Sequence, residues 1–137
     1  MPDINLTVTE LGLHHCACSG SKWEPKMGYS RAVRSGNVIA VTGTVGINAD
    51  GQYPKSMGEQ ARRSLDIVVA AVESLGGQLK HIIRTRIYVT DINKWEEVAA
   101  VHGELFAEIR PATTIVQVAR LIDKEALIEI EADAIIG

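Results

Sequence analysis

The carboxylates near the C-terminus are the first residues that could do chemistry. Glu129, Glu131 and Asp133 alternate with Ile128, Ile130, Ala132 and Ala134. On a strand, that spacing puts the acids on one face and the apolar side chains on the other. Glu129 could orient or activate a water as a general base; one row of solvated acids accounts for it equally well. The Tyr29 phenol could stack on a planar ligand or donate its hydroxyl, although packing at a subunit seam also explains a Tyr. The Asn93 amide could hold a ligand, yet Asn93 followed by Glu96 also reads as a helix cap. Thr113 and Thr114 could line a polar pocket, and strand propensity accounts for both.

Four potential metal ligands crowd into His14-His15-Cys16-Ala17-Cys18. Their spacing is not that of a zinc site, and no second pair follows downstream, so no metal is expected. His102 falls on the apolar side of a helix and reads as a core or interface histidine. His81 opens a strand and tells little. The chain has no phosphate-binding loop, no dinucleotide glycine pattern and no nucleophile elbow, so no cofactor is expected.

The elements that would position these residues follow from periodicity. Arg31–Arg34 and Val38–Thr42 read as two strands joined by a tight turn at Ser35-Gly36-Asn37. Cys18 to Gly28 reads as a loop, and Asn48-Ala49-Asp50-Gly51 as a turn. Ser56 with Glu59 is a capping box. Behind it Ala61, Leu65, Val68, Val69, Val72 and Leu75 recur on one helical face, and Gly76-Gly77 stops the helix. In the next strand Ile83, Thr85, Ile87 and Val89 face one way, and Arg84, Arg86 and Tyr88 the other. A second helix carries Trp95, Val98, Ala99, His102, Leu105 and Phe106 as its buried stripe and ends at Pro111. Strands follow at Thr114–Ala119 and Ala126–Ile136. The order is β-β-α-β-α-β-β, an α+β domain with a mixed sheet and both helices on one face.

The 137 residues fit a single domain spanning 1–137. The formal charge of −3 argues against a nucleic-acid footprint, which needs a basic excess or stripe. Met1 to Leu13 carries Asp3 and Glu10 and lacks the cationic start and apolar run of a signal peptide. No apolar run approaches the roughly 18 residues of a membrane span. The geometry of an extended chain disfavours a disulfide between Cys16 and Cys18. Free thiols fit a cytoplasmic protein.

Three stretches resemble the RidA/YjgF family. They are Gly28-Tyr29-Ser30-Arg31-Ala32-Val33 with Gly36-Asn37 and Thr42-Gly43, then Arg84 to Asn93, then Arg110 to Leu121 running into Ile128 to Ala132. The resemblance implies a chorismate-mutase-like fold and a homotrimer with three clefts between subunits. It implies hydrolysis of reactive imines and enamines to a 2-keto acid and ammonia. It places the family's site Tyr on Tyr29, its Asn on Asn93 and its Glu on Glu129. An endoribonuclease activity is attributed to some members, but the acidic balance weighs against it here.

Two positions depart from the family pattern. The site Arg falls on Thr113, and the Cys of many members falls on Ile115. A guanidinium grips a carboxylate through two parallel bonds, whereas a Thr offers one hydroxyl. Losing such a bond costs about 1.5–3 kcal/mol, or one to two decades in affinity. Arg31, two residues after Tyr29 and on the same side of an extended segment, is the first candidate replacement. Arg110 could reach back from three residues before Thr113, and Arg86 lies on the cationic strand face. These arginines could instead pair with Glu129, Glu131 and Asp133. Two functions are therefore expected of the small-molecule cleft: an imine hydrolase using Glu129, or a trimer that binds a ligand without turning it over.

Overall fold

The structure is a computed structural model that describes residues 3–137. A seven-stranded mixed sheet runs β1-β2-β3-β4-β7-β5-β6. Its strands are β1 (Thr7–Leu11), β2 (His14–Cys18), β3 (Ala32–Ser35), β4 (Val38–Val45), β5 (Ile82–Val89), β6 (Ala112–Gln117) and β7 (Ile128–Ile135). The helices are α1 (Trp23–Met27), α2 (Met57–Ser74) and α3 (Trp95–Phe106). Among the described residues, only β5 and β6 pair in parallel. The fold class agrees with the α+β reading. The expected series lacked three elements at its start: β1, β2 and α1.

Those elements hide from periodicity for physical reasons. All five residues of β1 are exposed, so it has no apolar face to alternate. The α1 helix is a single turn around Pro25, which is tolerated there because first-turn N–H groups have no intrahelical acceptor. It closes on Gly28, whose φ of 75° is left-handed and whose N–H reaches the Glu24 carbonyl.

The long helix α2 forms where its cap predicts. Ser56 accepts the Glu59 N–H, and its hydroxyl also meets the Glu59 carboxylate. Ala61, Leu65, Val68 and Val72 are buried against β4 and β7. The turn between β3 and β4 is the two-residue Gly36-Asn37, with Gly36 at φ 61°.

Three details differ from the sequence reading. In β5 a register shift lies between Ile82 and Arg84, so Ile82 is buried and Ile83 is 49% exposed. The shift adds a residue that breaks alternation at the strand's start. The Asn93–Glu96 cap does not form; Asp91 accepts the Asn93 N–H and opens a 3-10 turn at Ile92–Lys94. On α3 only Val98 and Phe106 are fully buried, Trp95 is half exposed, and the helix ends at Phe106. Arg110, at φ 55°, turns the chain into Pro111 and β6.

No helix among the described residues is long and apolar enough to cross a membrane. Cys16 is buried and Cys18 half-buried, both as free thiols.

Candidate functional site

The sheet brings Tyr29, Arg31 and Glu129 to one cavity of about 660 Å³. Thr44, Tyr53 and Asp123 are among the other residues on its walls. Glu129 sits near the start of β7, opposite Val45 of β4 and Tyr88 of β5. Between Val41 and Thr44 the β4–β7 register shifts, placing a bulge at Thr42-Gly43. Bulges re-aim side chains beside active sites. Here the missing side chain of Gly43 is what admits Glu129: a Cβ on Gly43 would stand 2.7 Å from the Glu129 Oε2.

Arg31 is 8% exposed and organises that wall. Its Nη1 donates to the Gly43 carbonyl at 3.1 Å and to the Thr44 hydroxyl at 3.0 Å. Its Nη2 donates to the Tyr29 hydroxyl at 3.3 Å. Its Nε lies 3.8 Å from Glu24 of α1, a carboxylate only 4% exposed. That distance is an ion pair without a hydrogen bond, and Nε has no other partner. Glu24 in turn accepts the Ser19 N–H and the Ser19 hydroxyl. The segment read as a loop thus supplies the counter-charge of Arg31.

Burial raises the Glu129 carboxyl above its ordinary range, with the Arg31 charge opposing and Glu131 adding to the rise. Across the cavity Tyr53 donates to Asp123 at 2.6 Å, and burial followed by that acceptor pushes its phenol upward. Buried Gln60 fixes this wall. Its amide donates to the Pro54 and Glu125 carbonyls and accepts the Leu127 N–H. Sequence reasoning missed Glu24, Gly43, Thr44, Tyr53 and Asp123. Gly43 alone had a signal, in the Thr42-Gly43 pair.

The remaining candidates lie elsewhere on the chain. Thr113 is on β6 at the sheet edge, where every residue except Ile115 is exposed. Alternation puts Thr113, Ile115 and Gln117 on one face and Thr114 on the other. Asn93 is exposed, and the neighbouring Ile92 N–H donates to the Gln117 side chain at 2.9 Å. The Arg110 side chain is exposed. Arg86 does pair with the β7 acids, at 3.2 Å from Asp133 and 4.0 Å from Glu131, while Tyr88 donates to Glu131. The chain therefore carries two separate sets: Tyr29, Arg31 and Glu129 in the cavity, and Asn93 and Thr113 along the β6 edge.

Among the described residues, no three His, Cys, Asp or Glu side chains gather as a metal site. His15 reaches only Glu10, across β1 and β2 at 3.2 Å.

A family model described as Endoribonuclease L-PSP matches residues 20–136. The 2-iminobutanoate/2-iminopropanoate deaminase of Escherichia coli K12 is 39% identical over 111 residues, covering 78% of this chain and 86% of that protein. The crystal structure of a YjgF-family protein from Mycobacterium tuberculosis superposes with a TM-score of 0.82 at 40% identity, covering 96% of this chain and 100% of that one. The YjgF gene product of E. coli gives 0.74 at 38% identity, covering 78% and 87%.

Proposed function

Since the chain belongs to the endoribonuclease L-PSP family, the RidA/YjgF proteins, we propose that it is a hydrolase of small imines or enamines. Its site would form where one copy's Glu129 cavity meets the β6 edge of the next copy in a trimer. The observation that carries this reading is the shared placement of Tyr29, Arg31 and a half-buried Glu129 in one cavity. Cytoplasmic location and a homotrimer are parts of the same proposal.

In the reaction, Glu129 takes a proton from water as the water oxygen adds to the C=N carbon, and passes it to the former imine nitrogen to give a neutral carbinolamine. Glu129 then takes the carbinolamine's hydroxyl proton and hands it to the amine, so that the C–N bond breaks, ammonia leaves and the carbon becomes a carbonyl. A carboxyl whose proton affinity is raised by burial suits both halves of this exchange. Tyr29 orients the planar group, and Arg31 holds Tyr29 and the Gly43 bulge in place. Asn93, Thr113, Thr114 and Arg110 are candidates to contact substrate from the neighbouring edge.

The test is a coupled assay with freshly generated 2-iminobutanoate and with carboxylate-free imines. Acceleration over the uncatalysed rate is expected, with Glu129→Gln losing about 10²- to 10⁴-fold. No acceleration with any imine sinks the catalytic reading.

A second reading is favoured by Thr113 and by the engagement of Arg31 within the protein. In it the cleft binds a metabolite without turnover. A thermal-shift screen separates the two, because a ligand at 100 times its Kd adds about 2.7 kcal/mol of stability.

A further inference from the structure

Thr113, where the family resemblance implies an arginine, is not an isolated side chain. Its Oγ1 lies 2.5 Å from the Oγ1 of Thr85, its parallel neighbour on β5. Thr85 is fully buried, and its hydroxyl lies 2.9 Å from the Nε2 of His102 on α3. His102 packs against Phe106 at 4.5 Å between ring centroids. A chain of three polar groups thus runs from half-buried helix α3, along the helix-covered face of the sheet, to the exposed edge.

The chain has a direction. The Thr85 hydroxyl owns one proton, so it donates to one neighbour and accepts from the other. If the imidazole carries its proton on Nε2, it donates to Thr85, Thr85 donates to Thr113, and the Thr113 proton points outward as a donor. If Nε2 is bare, the sense reverses and Thr113 presents lone pairs. Burial lowers the His102 pKa and keeps the ring neutral, so both tautomers are open to it. A fixed cation can only donate. This chain can meet either a donor or an acceptor at no charge.

The cavity wall points the same way. Arg31 already donates to three groups of its own protomer and faces Glu24. Arg63, also on the wall, is held by Asp3 at 2.9 Å. Asp123, Glu125 and Glu129 line the same space. Lys22 also lines the space, exposed to solvent and 5.0 Å from the Trp23 ring. A ligand carboxylate would lose water beside three acids and gain one solvent-screened ammonium.

We propose that His102, acting through Thr85, sets the hydrogen-bonding sense of Thr113, and that this relay selects imines carrying an uncharged amide where amino-acid-derived imines carry a carboxylate. The proposal rests on the reading that a neighbouring copy's β6 edge closes the cavity. His102 and Thr85 are positioning residues, and Thr113 makes the contact.

Two stable ketones serve as probes, 2-oxobutanamide and 2-oxobutanoate, titrated into the full-length protein with ¹⁵N-labelled histidine. The amide should bind about tenfold more tightly than the acid. Thr85→Val should weaken amide binding about fivefold, roughly one neutral hydrogen bond, and leave acid binding unchanged. Thr85→Ser should restore it. The His102 ring nitrogens should shift when the amide binds, and should not in Thr85→Val. Equal or tighter binding of the acid, binding of neither probe, or an amide preference untouched by Thr85→Val overturns the proposal. Failure of imine turnover alone overturns only the catalytic reading, because binding and ring resonances need no turnover.

Discussion

The two regions that would meet around a substrate are built on opposite principles. The cavity wall is buried, charged and internally satisfied, with Arg31 held by Gly43, Thr44 and Tyr29 and balanced by Glu24. The β6 edge is exposed and uncharged at Thr113, and its order comes from one hydroxyl chain. On the proposed function, the difference teaches that reactive geometry would be fixed inside the chain, while recognition would be left to a surface that can change cheaply. A substitution on the first wall must disturb stability. One on the second should alter specificity far more than stability.

The sharpest way to break that contrast is Arg31→Met. It leaves Glu24 buried without its counter-charge, and removing one partner of a buried pair costs about 3–5 kcal/mol. At roughly 2–4 °C per kcal/mol for a chain of this size, thermal denaturation should show a loss near 10 °C or more. Adding Glu24→Leu should recover part of it. A drop within 2 °C would place Arg31 with the surface arginines. Next in size is Thr113→Arg. An exposed edge accepts the longer side chain, and the stability change should be about 0.5–1.5 kcal/mol, the value of the hydroxyl bond to Thr85 that is lost. Turnover of 2-iminobutanoate should rise by about one to two decades, since a guanidinium restores a charged hydrogen bond to the carboxylate. An unchanged rate would show that the edge does not meet the substrate.

How much of this was legible in the sequence depended on whether a residue's role follows from its own strand. Glu129 and its alternating neighbours were readable, because period-2 patterning needs no partner. The α2 helix was readable from Ser56, Glu59 and its apolar stripe. The pairing of Glu24 with Arg31 was not, because it joins a one-turn helix to a strand through space. The Thr85–His102 link was hidden too. Thr85 looked like one more β-branched strand residue, and only the approach of His102 on α3 to β5 reveals its partner. Asn93 was misread because Asp91, two residues earlier, competes for the same cap.

The smallest expected effect concerns pH, and it again separates the two walls. Burial raises the Glu129 carboxyl in the folded protein above its value in the unfolded chain. Between those two values the folded state binds more protons than the unfolded state, so stability falls as pH rises. The contribution of Glu129 is therefore complete below the ordinary glutamate range and lost as pH climbs through the raised value. Glu129→Gln has no proton to lose. Its stability relative to the parent should increase from pH 4 to pH 7, with the two curves closest at the acid end. Thr113→Val carries no titrating group on its side chain and should run parallel to the parent throughout. Urea denaturation at each pH measures both differences. A Glu129→Gln curve parallel to the parent would mean that the carboxylate is as well solvated folded as unfolded. The cavity would then be as open as the edge, and the contrast between a committed wall and an adaptable one would fail at its chemical centre.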